Sequence, residues 1–402
     1  MNEFVETILE LTWHDPKPTY DVVIIGGGGH GLAAAYYLAT RHGITNVAVV
    51  EANYIGSGNS GRNTTIIRAN YGIPESIRFY QHSVDLYGGL ENETDCWIMH
   101  QTKGLMWLAH TENAMRAERA RALLNTALGT DTVMITPEEA KQLCPQLDVS
   151  GGGRYPVRGG SYHVGGATAR HDRVVWAYAQ GAMRAGVHVL QHTKVTDLLK
   201  DGDRVTGVVT DKGPISCGMV MSAVGGRVTQ IADMAGLRLP IRTHPLQAFV
   251  TNGFAQGLGP IVSSSELLTY VSQTARGQLL MGAEYESQPT YSRQSSFAML
   301  QSVSAKVAYL LPFTRNLRIL RQWTGICDIS ADFSPIMGPT GVDGLCLTTG
   351  WGTWGFKGIP ASGESMATYI ATGSVPALIA PFALDRFAKD HPMADQGSTG
   401  TK

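Results

Sequence analysis

The strongest pattern along the chain is a short apolar run, VVII at 22–25, followed by a cluster of glycines and the alanine-rich stretch 32–39. A short apolar run bounded by turn residues is a buried strand, and the stretch after it has the length and composition of a helix. A second run, VAVV at 47–50, adds a strand. Farther on, Val174, Tyr178, Ala182 and Ala185 recur at helical spacing and predict a helix starting near Val174. Residues 187–213 read as strands with a hairpin at Asp201-Gly202-Asp203, and 215–226 as a strand of small residues running into a turn. Alternating segments at 243–251 and 267–285 predict strands of another sheet. Near the end, 321–339 leads into a strand, a glycine-rich loop and a helix at 344–365.

The first of these units carries chemistry. Gly26, Gly28 and Gly31 form G-x-G-x-x-G at the strand-to-helix turn, with Gly29 and His30 inside it. Such glycines allow a tight turn and let a pyrophosphate approach the positive end of the helix. Glu51 ends the second strand twenty residues after Gly31, where a carboxylate can accept the hydroxyls of a ribose. The motif alone suits NAD or FAD. The remaining pieces favour FAD. The segment 56–72, small and polar, suits a loop folded over an isoalloxazine, and offers Asn59, Arg62, Thr64 and Ile66 as cofactor contacts. The 187–213 unit contributes Val195, and the glycine-rich loop contributes Gly352 and Gly355. An NAD domain completes its site in one block, whereas here three distant pieces return to one dinucleotide.

Composition narrows the class. With 402 residues, two or more subdomains are expected, and 43% hydrophobic with 16% charged residues is ordinary globular composition. A net charge of −1 gives no electrostatic case for nucleic acid or an anionic membrane. Five scattered cysteines, none in a C-x-x-C pair, suggest a reduced compartment and neither a disulfide framework nor a metal site. The first twenty residues carry acids where a secretory signal needs basic residues, and no apolar run reaches about 18 residues. A cytoplasmic protein is the expectation.

Ahead of the helical stripe at Val174 stand Arg170, His171 and Asp172. The acid suits the first turn of a helix, but a cation gains nothing from that end of the dipole. An anionic or covalent group nearby would account for the pair.

GGGGHG, GNSGRNTTIIRANY, ARHD, RQWTGI and GWGTWGFKG together resemble the β subunit of heterotetrameric sarcosine oxidase, over roughly residues 13–390. The related N-methylglutamate dehydrogenases share this module, within the D-amino acid oxidase-like flavoproteins. The resemblance implies an α/β fold with a Rossmann-like FAD-binding domain and a discontinuous substrate domain on a mixed β-sheet. It places the first at 18–70, 161–238 and 321–390, the second at 71–160 and 239–320, and a flexible tail at 391–402. It also implies non-covalent FAD, and FMN bonded covalently to His171 with Arg170 beside its phosphate. Arg68 and Lys357 match the pair that clamps the substrate carboxylate. Partners follow from it as well: a larger α subunit binding NAD and folate, and small γ and δ subunits. Asp332 is expected in the FAD site or a turn, and Glu284 near the substrate. The implied activity is oxidative demethylation of a secondary N-methyl amino acid, with sarcosine first. N-methylglutamate dehydrogenation and a non-catalytic electron-transfer subunit are the alternatives. One departure counts toward the dehydrogenase: the oxidase pattern has lysine where this chain has Arg170, and a guanidinium is a poorer activator of oxygen.

Overall fold

The computed structural model describes residues 11–255, 257–283 and 285–393. Strand β1 (Thr19–Ile25) pairs in parallel with β2 (Val47–Val50) on one side and with Gly213–Ser222 on the other. His188–Leu190 extends the sheet beyond β2, and Leu345–Thr349 joins the far side of Gly213–Ser222, also in parallel. The antiparallel pair Val195–Asp201 and Arg204–Thr210 completes that edge around the expected hairpin, with Gly202 at φ 57°. All four residues of β2 are buried, as strands covered on both faces must be.

Helix α1 (Gly29–His42) starts three residues before its alanine-rich core, because the glycine turn itself supplies its first residues. It packs on Ile359–Thr372 with very close approach: a Cβ on Gly363 would lie 2.4 Å from Ala33 Cβ. Helix His171–Arg184 packs on the other flank and begins earlier than its apolar stripe predicts. His171 and Asp172 are its first two residues rather than its lead-in, since the Asp172 carboxylate accepts the Arg173 amide at 3.0 Å from within the turn. A stripe of buried positions cannot report a polar first turn.

The second sheet has eight strands, in the order Ile319–Ser330, Ile241–Gly253, Gln278–Ala283, Thr269–Gln273, Ile261–Ser264, Leu105–Ala109, Gly159–His163 and Thr132–Ile135. Only the Ile261–Ser264/Leu105–Ala109 pair is parallel, so the sheet is mixed. Helix Phe297–Leu310 covers it with Val303, Val307 and Leu310. The boundaries at 161 and 321 fall inside two of its strands, Gly159–His163 and Ile319–Ser330. A small sheet of Ile66–Ile67, Ala167–Thr168 and Gln101–Thr102 leads straight into Arg68.

Asp332 lies in a turn. Its carboxylate accepts two bonds from Arg386, at 2.8 and 2.9 Å, and the amides of Ser334 and Met393. Both side chains are about 5% exposed or less. Burial pushes the Asp332 carboxyl up, but Arg386 outweighs it and holds it below its ordinary value. Met393, the third residue of the expected tail, is therefore tied down, while 394–402 and Glu284 lie outside the described residues. Asp332→Ala leaves a buried guanidinium uncompensated, so we expect a loss of roughly 3–5 kcal/mol in chemical denaturation with the FAD spectrum retained. Because its pKa is depressed, Asp332 contributes its stability above the ordinary carboxylate range and loses it as pH falls through the lowered value.

Candidate active site

One cavity of about 650 Å³ runs from the glycine turn to the inner face of the second sheet. At one end are Gly26, Gly28, Gly29 and His30 of the turn, Glu51 at the end of β2, and Val195. Gly26 has φ +111°, and a Cβ on Gly31 would lie 2.1 Å from the Gly26 carbonyl oxygen, so the turn closes only with glycine at both positions. Gly31 itself does not line the cavity. Glu51 accepts the Gly27 and Asn53 amides, each at 2.9 Å, which fixes its carboxylate beside the turn. Ser60 Oγ accepts the Gly29 amide at 2.9 Å and ties the 56–72 loop to the helix start.

That loop supplies Asn59, Arg62, Thr64 and Ile66 to the cavity wall. Asn59 pairs with both backbone groups of Ile326, at 2.5 and 3.0 Å, and so joins the loop to the last strand of the second sheet. Arg62 donates to the carbonyls of Ser57 and Gly58. Thr64 Oγ1 donates to Tyr270 OH at 3.0 Å, and burial pushes that phenol up to about 12.

His30 is the least satisfied group here. Its ring stacks on Trp351 with centroids 4.1 Å apart, and neither buried ring nitrogen has a hydrogen-bond partner. Burial holds its pKa down at about 3, so it is neutral, with one donor and one acceptor on offer. An orphaned imidazole beside a glycine turn and a helix N-terminus fits a polar dinucleotide.

At the other end stand Arg68 and Lys357, 4% and 7% exposed. Arg68 donates to the backbone and side-chain oxygens of Asn70, at 2.9 and 3.0 Å, and lies over the rings of Tyr71 and Trp107. Lys357 follows the glycine-rich loop, where Gly352 and Gly355 also line the cavity. Its backbone is held by Ser83 Oγ, which donates to the Lys357 carbonyl at 2.6 Å, while Nζ donates to Thr353 O at 3.3 Å. Burial and then the Arg68 charge depress its pKa far below that of an ordinary lysine. Two cations held together at a dry site favour an anion between them.

Several lining residues escaped sequence reasoning, Asp328, Trp107 and Tyr270 among them. Asp328, 1% exposed, accepts Thr349 Oγ1 and the Gly350 and Trp351 amides at 2.7–3.2 Å, pinning the loop that presents Lys357. Burial raises its pKa, against the pull of those bonds. Its signal was legible: a single acid inside the apolar run GICDIS. Trp107 and Tyr270 had none, because only the pairing of the second sheet brings them to the site.

Arg170 and His171 do not line this cavity. Arg170 is paired with Asp172 at 2.8 Å, which compensates the cation at the helix start. His171, with its side chain 32% exposed, has a buried Nδ1 without a hydrogen-bond partner. Burial lowers its pKa, Asp172 opposes that and Arg170 assists it. The Arg170 amide donates to Ile98 O at 2.8 Å, joining the helix start to the loop that carries His100, whose Nε2 is also buried and unpartnered. The two imidazoles thus stand on joined segments outside the cavity, with the Asp172 carboxylate 4.0 Å from His171 Nδ1.

Residues 21–369 match the family described as FAD dependent oxidoreductase. The chain is also 42% identical to sarcosine oxidase subunit beta of Arthrobacter sp., over 97% of this chain and 96% of that one. The chain belongs to this family of FAD-dependent oxidoreductases. Sarcosine oxidase subunit beta of Rhizobium meliloti (strain 1021) is likewise 42% identical, over 95% of this chain and 92% of that protein. Among solved structures, L-proline dehydrogenase from P. horikoshii superposes with a TM-score of 0.88 at 29% identity, covering 93% of this chain and 99% of that one. The protein is a D-amino acid oxidase-like flavoenzyme that uses FAD. Among the described residues no helix is long and apolar enough to cross a membrane, and no cluster of His, Cys, Asp and Glu could hold a metal ion.

Proposed function

We propose that this chain oxidises a secondary N-methyl amino acid, sarcosine first, at the end of the FAD cavity marked by Arg68 and Lys357. The observation that carries the reading is that buried pair: two cations on one cavity wall, in a chain 42% identical to sarcosine oxidase β subunits. The clamp takes the substrate carboxylate and fixes which carbon faces the cofactor. The same positive field lowers the pKa of the substrate's ammonium, so it favours the neutral amine that can be oxidised. Trp107 and Trp351 wall the cavity with apolar surface and limit water beside the reacting bond. FAD, when bound, supplies the two-electron acceptor, and the substrate leaves as an imine that water or a one-carbon acceptor resolves.

His171 is the proposed point of covalent attachment for FMN, which would relay electrons outward from the FAD. Its support is the buried Nδ1 at the first helical residue, which makes no hydrogen bond and has the Asp172 carboxylate at 4.0 Å. The names of three relatives, each a sarcosine oxidase subunit beta, support a complex with further subunits, proposed to be α, γ and δ. A second reading, an N-methylglutamate dehydrogenase with an acceptor other than oxygen, is favoured by Arg170: its charge is delocalised and spent on Asp172.

Anaerobic mixing of the complex with sarcosine and with N-methylglutamate discriminates the two. Sarcosine should bleach the FAD absorbance in a single turnover, and steady turnover in air should release stoichiometric hydrogen peroxide. Bleaching by N-methylglutamate alone, with turnover only on an artificial dye, establishes the second reading. No bleaching by either amine overturns both.

A further inference from the structure

Among the described residues, six cations line the cavity, Arg62, Arg68, Lys194, Arg227, Arg293 and Lys357, against two carboxylates, Glu51 and Asp328. Both carboxylates are already engaged by backbone amides. Arg68 and Lys357 belong to the substrate end. The excess at the other end is unexplained by any substrate.

Three guanidinium groups make up most of it. Arg62 sits in the 56–72 loop, its Nη1 on the Ser57 and Gly58 carbonyls. Arg227 closes the short turn Gly225–Arg227 that follows the strand Gly213–Ser222. Arg293 comes from elsewhere: the connection between strand Gln278–Ala283 of the second sheet and helix Phe297–Leu310. This connection is fastened like a strap. The Thr290 amide donates to Thr243 O at 2.9 Å, Tyr291 OH is 2.6 Å from Thr229 Oγ1, and the Ser296 amide donates to Gln247 Oε1 at 3.0 Å. The Tyr291 ring also lies 5.8 Å from the Arg227 guanidinium. The strap thereby holds Arg293 among the cations of the FAD domain. Burial, then Arg62 and Arg227, depress the Arg293 pKa, with only Tyr54 and Glu51 opposing. No carboxylate among the described residues lies in ion-pair range of Arg227 or Arg293. Like charges brought together without a counter-ion repel unless an anion joins them.

The geometry points to Arg227 and Arg293, with Arg62, as a cationic clasp for the diphosphate of FAD, the strap carrying Arg293 across from the second sheet to the cofactor. The glycine turn meets the diphosphate with backbone amides and a helix dipole, and guanidinium groups add charged donors of the right fork geometry. An inserted FAD would then tie the two sheets together through its phosphates. The clasp rests on the FAD reading. The other source of an oxyanion is a substrate carboxylate passing through the mouth, and the test separates the two.

The measurement is FAD release from the purified complex on dilution, followed by ultrafiltration and flavin fluorescence, at low and high salt. R293Q and R227Q should each speed release on the order of tenfold, the scale of losing a charge-assisted hydrogen bond. R293K should restore part of the retention, and high salt should shrink the difference between wild type and variants. Apoprotein of R293Q should still bind riboflavin, which has no phosphate, as wild type does. FAD release unchanged in both variants, with slower flavin reduction by sarcosine at low salt, assigns the cations to the substrate and overturns the clasp. Equal weakening of riboflavin and FAD overturns it too. A wild-type complex holding no releasable FAD would sink the cofactor assignment itself, and the clasp with it.

Discussion

Replacing Lys357 with methionine should slow anaerobic reduction of FAD by the amino acid by a hundredfold or more. The side chain is buried and within the field of Arg68, so a carboxylate bound there loses a fully desolvated partner. Truncations of that kind cost roughly 2–5 kcal/mol. Methionine keeps the volume and the apolar stem, which separates the charge from the packing. The pH dependence identifies the group. Lys357 has a depressed pKa in the free protein, and an arriving carboxylate raises it again, so above the depressed value binding must take up a proton. The dissociation constant of a non-oxidisable carboxylate such as propionate should therefore rise with pH, by up to about tenfold per unit. In Lys357→Met that rise should flatten. Flavin absorbance changes on titration report the constant directly. An unaltered reduction rate together with an unaltered pH profile would remove Lys357 from the clamp.

His171→Ala should abolish acid-stable flavin while leaving acid-extractable FAD in place. The helix start should survive the change, because its backbone bond to Ile98 O comes from Arg170 and its first-turn acceptor is Asp172. His171 itself contributes no hydrogen bond from Nδ1, so its removal costs little stability. Precipitation with acid, followed by fluorescence of the pellet and mass analysis of the tryptic peptide spanning position 171, reads the result. Flavin retained in the pellet of the variant overturns the assignment.

The dinucleotide unit was legible because its parts are consecutive. Strand, glycine turn, helix, second strand and Glu51 occupy 19–51, and their contacts span a few turns of chain. Local periodicity and glycine's conformational freedom have that same short range, so composition and spacing report them. Arg68 and Lys357 were picked out through resemblance to family motifs, and both line the cavity. Tertiary structure decided the rest. Asp328 and Asp332 stand four residues apart, yet one belongs to the cavity and the other to a clamp with Arg386, because a strand ends between them. Arg227 and Arg293 share a cavity only because the strap from the second sheet crosses to the first. The pairing of Asn59 with Ile326 spans 267 residues, a separation that no periodic signal crosses. Such long-range placements are fixed by which faces must be buried together and which backbone groups must find partners. Those requirements are met by the folded chain as a whole.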